Sequence, residues 1–302
     1  MRAVVMHETG GPEVLLLEDV PTPEPAEGQV LVRVRAASVN PIDWKIRSGS
    51  SAGTVELPKI LGNDISGTIE VSRADGLSVG EDVFGFAPSG GYAEYALSGP
   101  AALARKPAAV THEQAAALPV AALTAWQALF DRGGLQSGHR AMIAGAAGGV
   151  GHLAVQFAKR AGAHVIGSGS TRNRDFVLGL GADEYVDYTQ QDVREAVSDV
   201  DVVLDTVGGE TTQELVPVMR EGGILITIAS APPEAAARER GARAELLRMN
   251  ANPDQLATIA SLLADGEIRV ELSQVLPLSE VQRAHELSAS GHTRGKIVLI
   301  VD

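Results

Sequence analysis

The chain has 302 residues, 45% of them hydrophobic, with 25 Lys and Arg against 38 Asp and Glu, a formal net charge of -13. That length accommodates two domains of ordinary size, and an acidic chain without a basic block argues against nucleic acid or anionic membrane as partners. There is no cysteine, which excludes disulfides, thiolate catalysis and thiolate metal sites; without an apolar leader core or a run near about 18 apolar residues, the expected location is cytoplasmic.

Residues 1 to about 115 read as short strands at Arg2–Met6, Gln29–Ala37, Gly67–Val71 and Tyr92–Leu97, separated by Pro- and Gly-rich turns. This is the pattern of an all-β barrel. PTPEPAEG at 21–28 is a surface connection. From His112 the text turns helical, HEQAAALPVAALTAWQALF, so a domain boundary is expected near residues 112–120.

A short apolar strand then runs directly into AGAAGGVG, where Gly145, Gly148 and Gly151 are spaced three apart. A missing Cβ at such a turn lets backbone approach a pyrophosphate, whose charge sits at the N-terminus of the following helix. The first spacing is G-x-x-G rather than the G-x-G of the usual fingerprint, so the flanking elements carry the argument. Val150, Leu153, Ala154, Phe157, Ala158 and Ala161 share one helical face, and Gly162 ends the helix. A strand at Ala163–Gly167, a helix at Arg174–Asp183 and a strand at Glu184–Tyr188 complete a βαβαβ nucleotide-binding half. VDVVLDTVGG at 200–209 and GGILITIAS at 222–230 are apolar runs expected of strands buried on both faces.

After Asp254 a helix ends at Gly266, followed by strand-like RVELSQVLP, a helix at Ser279–Ser290 and a final strand KIVLIVD. These last strands have no nucleotide unit of their own and are expected to return to the N-terminal barrel. The expected fold is α/β, a Rossmann-type doubly wound parallel sheet plus a β-barrel, with the substrate pocket in the cleft between them. Loops at 44–55 and 231–245 would set the width of that pocket.

An NAD-specific site ends its second strand with Asp or Glu, whereas this chain has GSGSTRNR. Gly167 and Ser168 stand where the acid belongs, and Ser170, Arg172 and Arg174 offer donors suited to a 2′-phosphate. NADPH is therefore the expected cofactor, although each arginine also reads as a solvated charge at a helix start. Beside Gly145, the residues Gly148, Gly149 and Val150 are expected to present backbone amides to the pyrophosphate. Asp205, Thr206 and Val207 would line the path to the nicotinamide, with Ile228, Ala229 and Ser230 at the same edge. Asp205 has a second reading, as a carboxylate capping its own turn.

Six further segments, AASVNPIDWKIRSG, LPKILGNDISG, AALPVAALTAWQAL, LGADEYVDY, DVVLDTVGG and GHTRGKIVL, lie in order along nearly the whole chain. Together they resemble the zinc-independent quinone oxidoreductases of the medium-chain dehydrogenase/reductase superfamily, the group that includes ζ-crystallin and the alkenal double-bond reductases. The resemblance implies a GroES-like barrel (1–116, completed by 270–302), a Rossmann NADP-binding domain (117–269) and a homodimer. Zinc alcohol dehydrogenases of the superfamily carry a cysteine in the first pocket loop, a Gly-His-Glu motif in the next and a four-cysteine lobe. Here Asn40 and Asn63 occupy the approximate ligand positions, so no metal is expected.

Without a Lewis acid, the favoured substrates are already electrophilic: quinones or α,β-unsaturated carbonyls. The resemblance assigns the nicotinamide amide or the adjoining substrate to Asn40 and Thr124, and the 2′-phosphate in part to Tyr188. Thr124 also reads as a helix N-terminal residue capping its own backbone. Asp43 and Asp64 read either as a proton relay or as structural acceptors in the barrel loops. Trp44 is expected to border the pocket and stack on a flat acceptor, in a loop where relatives often carry tyrosines. An enoyl-thioester reductase and an NADPH-binding protein without turnover are the alternative functions.

Overall fold

Period-two burial, with valines facing in and arginines facing out, builds the N-terminal unit. A computed structural model describes residues 1–50 and 55–301. Residues 51–54 of the loop expected to border the pocket, and Asp302 at the end of the expected last strand, lie outside the described residues. Strands β1 (Arg2–Met6) and β2 (Leu16–Asp19) pair antiparallel. In β3 (Val30–Val39), Val30, Val32 and Val34 are buried while Arg33 and Arg35 face outward. Helix α1 (Pro41–Arg47) occupies a stretch whose sequence reads as a loop; Pro41 stands in its first turn, where a missing N–H is harmless.

β4 (Lys59–Ile60) joins β1 in a three-stranded sheet. β5 (Asp64–Ser72), β6 (Asp82–Phe86), β7 (Tyr95–Ser98) and β8 (Leu103–Arg105) pair antiparallel in the larger sheet. The sequence does not declare β6, which Gly85 interrupts, or β8, which has three residues. The helical text then divides into α2 (His112–Ala116) and α3 (Pro119–Trp126), because Pro119 disfavours helical backbone at Leu118. The chain falls into two compact units, Ala121–Asn250 and the remainder.

The middle unit carries six parallel strands: β9 (Arg140–Ala144), then after α4 (Gly151–Arg160) β10 (His164–Gly169), and after α5 (Arg174–Leu178) β11 (Glu184–Asp187). Helix α6 (Val193–Ala196) precedes β12 (Val200–Asp205), α7 (Glu210–Glu214) precedes β13 (Met219–Thr227), and α8 (Glu234–Glu239) precedes β14 (Arg243–Leu246). The spatial order β11-β10-β9-β12-β13-β14 reverses direction at β9, the doubly wound order whose switch point binds ligands at the carboxyl ends of the strands. α5 stops at Leu178, short of the expected Asp183, where Gly179 and Gly181 favour turns over helix. The core of this sheet includes Met142, Ile166, Val203 and Leu225.

Helix α9 (Pro253–Ala264), β15 (Leu272–Pro277), α10 (Val281–Ala289) and β16 (Lys296–Ile300) return to the first unit. β16 pairs antiparallel with β3 at residues 36–39 and parallel with β15. Among the described residues, no helix is long and apolar enough to cross a membrane.

Two glycines give a direct check on this packing. A Cβ at Gly151 would collide with Gly145 O and lie 2.8 Å from Ala146 Cα, whereas a Cβ at Gly138 (φ +82°) has nothing within 4 Å. Gly138→Ala then costs only backbone strain, about 1 kcal/mol, and Gly151→Ala costs about 2–3 kcal/mol through overpacking. Urea unfolding of both variants checks this; a larger loss from Gly138→Ala contradicts it.

Candidate active site

In the first unit a buried polar network gathers at the end of β3. Asn40 precedes α1, and its backbone N–H donates to Asp43 Oδ2 at 2.8 Å. Tyr92 Oη donates to the same oxygen at 2.9 Å. Asp64 opens β5 directly across from Ser38. Its Oδ2 accepts from Ser38 Oγ at 3.0 Å and from Asn40 Nδ2 at 2.8 Å, and its Oδ1 accepts from the Val120 N–H at 3.2 Å. Lys296, the first residue of β16, donates from Nζ to Asn40 Oδ1 at 2.5 Å and stands 3.9 Å from Asp64 Oδ2.

Every side chain that bonds in this network is buried, and Asp64 and Tyr92 are 0% exposed. Burial pushes the Asp43 carboxyl up to about 6, against hydrogen bonds from the Asn40 N–H and Tyr92 that favour the anion. Burial also raises Asp64, while Lys296 pulls it back. Lys296 itself is lowered by burial, with Asp64 opposing. The network brings Asn40, Asp43 and Asp64 together and adds Lys296, Tyr92 and Ser38, which the sequence reading did not single out. A lysine opening the otherwise apolar strand KIVLI was the available signal.

Trp44 is half-buried, with Lys45 Nζ 5.7 Å from its ring centroid. Thr124 is buried inside α3, five residues after its first residue Pro119, so it does not cap a helix N-terminus. The capping alternative for Thr124 does not hold.

In the second unit, parallel register aligns Ala144 with Ser168 and Asp205, and Asp205 with Thr227, so four strand ends share one edge. The turn after β9 begins at Gly145, whose φ of +72° suits glycine. Ala146 N–H donates to Ser168 O at 3.0 Å, and Gly148 N–H donates to Gly145 O at 2.9 Å. The amide of Gly148 is thus engaged inside the turn. The N–H groups of Gly149 and Val150 have no hydrogen-bond partner among the described residues. They lie at the N-terminus of α4, where partial positive charge accumulates.

At the end of β10, Ser168 is buried, Ser170 half-buried and Arg172 exposed. The guanidinium of Arg174 lies 5.8 Å from the Tyr185 ring centroid. Tyr188 is 66% exposed, and its N–H donates to Gly169 O at 3.2 Å. Asp187, which closes β11, accepts from Thr171 Oγ1 at 2.5 Å and from Thr189 Oγ1 at 2.6 Å. These donors hold its carboxyl below the usual carboxylate range.

Asp205 is fully buried and saturated. Its Oδ1 accepts from the N–H groups of Val207 at 2.9 Å and Gly208 at 3.0 Å, and its Oδ2 from Thr212 Oγ1 at 2.5 Å and Thr227 Oγ1 at 3.1 Å. With both oxygens occupied, its side chain shapes the turn, in keeping with the capping reading. The turn leaves Val207 53% exposed. Ala229 and Ser230 are half-buried at the same edge, with Ser230 Oγ 2.7 Å from Thr212 Oγ1.

Among the described residues, no group of three His, Cys, Asp or Glu side chains is placed to hold a metal ion. At one approximate zinc-ligand position, the Asn40 amide is hydrogen-bonded to Asp64 and Lys296.

A barrel with a separate 3-2-1-4-5-6 parallel sheet and a glycine turn at its switch point is the architecture of a medium-chain dehydrogenase or reductase. Residues 26–108 match the alcohol dehydrogenase GroES-like domain, and residues 180–299 match a model described as zinc-binding dehydrogenase. The chain is 32% identical to the quinone oxidoreductase of Lama guanicoe, over 100% of this chain and 98% of that one. The solved quinone oxidoreductase of Coxiella burnetii is 37% identical with a TM-score of 0.95, covering 100% of this chain and 99% of that one. The Escherichia coli quinone oxidoreductase solved in complex with NADPH is 28% identical with a TM-score of 0.91, covering 100% of both chains. The chain belongs to the zinc-independent quinone oxidoreductase family.

The Asp43 environment predicts a specific pH dependence. A carboxyl raised to about 6 when folded, above its ordinary 3.8, favours folding below the lower value, and this contribution is lost as pH rises through the higher one. Asp43→Asn removes that loss. Relative to wild type, the variant should therefore gain about 2–3 kcal/mol between pH 3.5 and 7. Parallel urea titrations across this range measure the difference, and a constant offset would contradict the assignment.

Proposed function

We propose that this chain is an NADPH-dependent reductase that delivers hydride to a quinone or an α,β-unsaturated carbonyl without zinc. The observation that carries the cofactor choice is GSGSTRNR at the end of β10, which supplies hydroxyl and guanidinium donors where an NAD-specific site has an acid. Full-length similarity to quinone oxidoreductases supports the choice of acceptor. The same reading assigns substrate to residues 1–116 with 270–302 and cofactor to 117–269, in a cytoplasmic homodimer.

When bound, NADPH supplies the hydride from C4 of its nicotinamide. The rest is positioning by the chain. The N–H groups of Gly149 and Val150 receive the pyrophosphate, with Gly145 and Gly148 shaping the turn and Ser168 anchoring it through its carbonyl. Ser170 and Arg172, with Arg174 and Tyr188, receive the 2′-phosphate. Asp205 fixes the turn that presents Val207, and Ala229 and Ser230 border the same edge. Asn40 and Thr124 hold the nicotinamide amide or the adjoining substrate, and Trp44 stacks on a planar acceptor. The Asp43 carboxyl, whose Oδ2 accepts from the Asn40 N–H and Tyr92 Oη, takes up a proton as pH falls through about 6.

Stopped-flow oxidation of NADPH with quinone, enal and enoyl-thioester panels and a substrate-free control tests this reading. NADPH should be consumed with quinones and enals, and Arg172→Ala should lower the preference for NADPH over NADH by about tenfold, the effect of one charge-assisted hydrogen bond. Turnover confined to enoyl thioesters would make the chain an enoyl-thioester reductase. Tight NADPH binding without turnover would make it a binding protein, and failure to bind NADPH would overturn the proposal.

A further inference from the structure

We propose that His152 positions the cofactor turn by locking the peptide plane between Gly148 and Gly149, an inference that rests on the dinucleotide binding proposed above. None of the sequence signals of the turn singles out this residue. His152 is the second residue of α4 and is 0% exposed. Its Nδ1 lies 2.9 Å from Gly148 O. A carbonyl oxygen can only accept, so Nδ1 carries the hydrogen and donates. The His152 backbone N–H donates to the same oxygen at 3.0 Å.

A trans peptide is planar, with its C=O and N–H pointing in opposite directions. Two donors from His152 draw Gly148 O toward the start of the helix, so the Gly149 N–H faces the other way. That N–H has no partner among the described residues. Glycine on both sides gives this peptide unusual freedom to rotate, with no side chain within 4 Å of the Cβ position at Gly148. The imidazole adds a side-chain donor to the restraint that the His152 backbone N–H already places on Gly148 O. It keeps a donor aimed outward at the helix N-terminus, ready for the pyrophosphate common to NADPH and NADH. His152 is thus a positioning residue that acts through the Gly149 amide, and its influence should not depend on the 2′-phosphate.

The test compares His152→Leu, which has similar volume and no donor, with His152→Asn, whose side-chain amide retains one. His152→Met is a second donor-free variant should Leu not fold. Dissociation constants for NADPH and for NADH are measured by fluorescence titration of the full chain, alongside the melting temperature without cofactor. The donor-free variants should weaken both dinucleotides by the same factor, about five- to tenfold for one lost hydrogen bond, and Asn should restore most of the loss. A role confined to packing would lower the melting temperature and leave both constants unchanged, which overturns the inference. A loss seen with NADPH alone also overturns it. If wild type binds neither dinucleotide, the functional reading fails and takes this inference with it; if wild type binds and the donor-free variants match it, only the inference fails.

Discussion

The carbonyl oxygen of Gly145 receives the Gly148 N–H at 2.9 Å, and Gly151 approaches it so closely that a Cβ there would collide with it. Together with the positive φ of Gly145, these contacts fix how sharply the chain turns from β9 into α4. The neighbouring strands are tied to the same turn. Ala146 N–H bonds to Ser168 O at 3.0 Å, and Thr206 Oγ1 donates to Ala144 O at 2.7 Å. A shift in the turn would therefore disturb the ends of β10 and β12 as well. The edge that bears the proposed cofactor site is one mechanically coupled row.

Two buried carboxylates show different ways of tolerating burial. Asp205 is surrounded by four neutral donors from its own turn and adjacent threonines, which satisfy both oxygens. Asp64 combines neutral donors with the Lys296 ammonium 3.9 Å away, and the same lysine holds Asn40 Oδ1. A buried ion pair is weak support for stability, because desolvation offsets much of the Coulombic attraction. The Asn40 amide is oriented from both sides, with its oxygen toward Lys296 and its nitrogen toward Asp64. That fixed orientation is what the proposed role of Asn40 would use.

The fold class was legible because the middle of the chain alternates apolar strands with helices, and parallel strands buried on both faces declare themselves without alternation. β6, interrupted by Gly85, and β8, with three residues, present no such run, and α1 lies hidden in SVNPIDWKIRSG despite Pro41 in its first turn. The glycine turn and the residues after β10 were visible as local signals. Lys296 was not, because it meets Asn40 across 256 positions of sequence. His152 escaped for a different reason. Helical periodicity places it off the apolar face, yet α4 is buried all round from Gly151 to Ala158, so a polar residue there requires partners that no pattern of hydrophobicity reveals.

The turn from Gly145 to Gly151 is the proposed dinucleotide site. It is tested most directly by following backbone amide resonances of the full chain during titration with NADPH. Gly149 and Val150 should shift most and in proportion to occupancy, as their N–H groups gain an anionic acceptor. Saturable binding of NADPH with those two amides unmoved would contradict it.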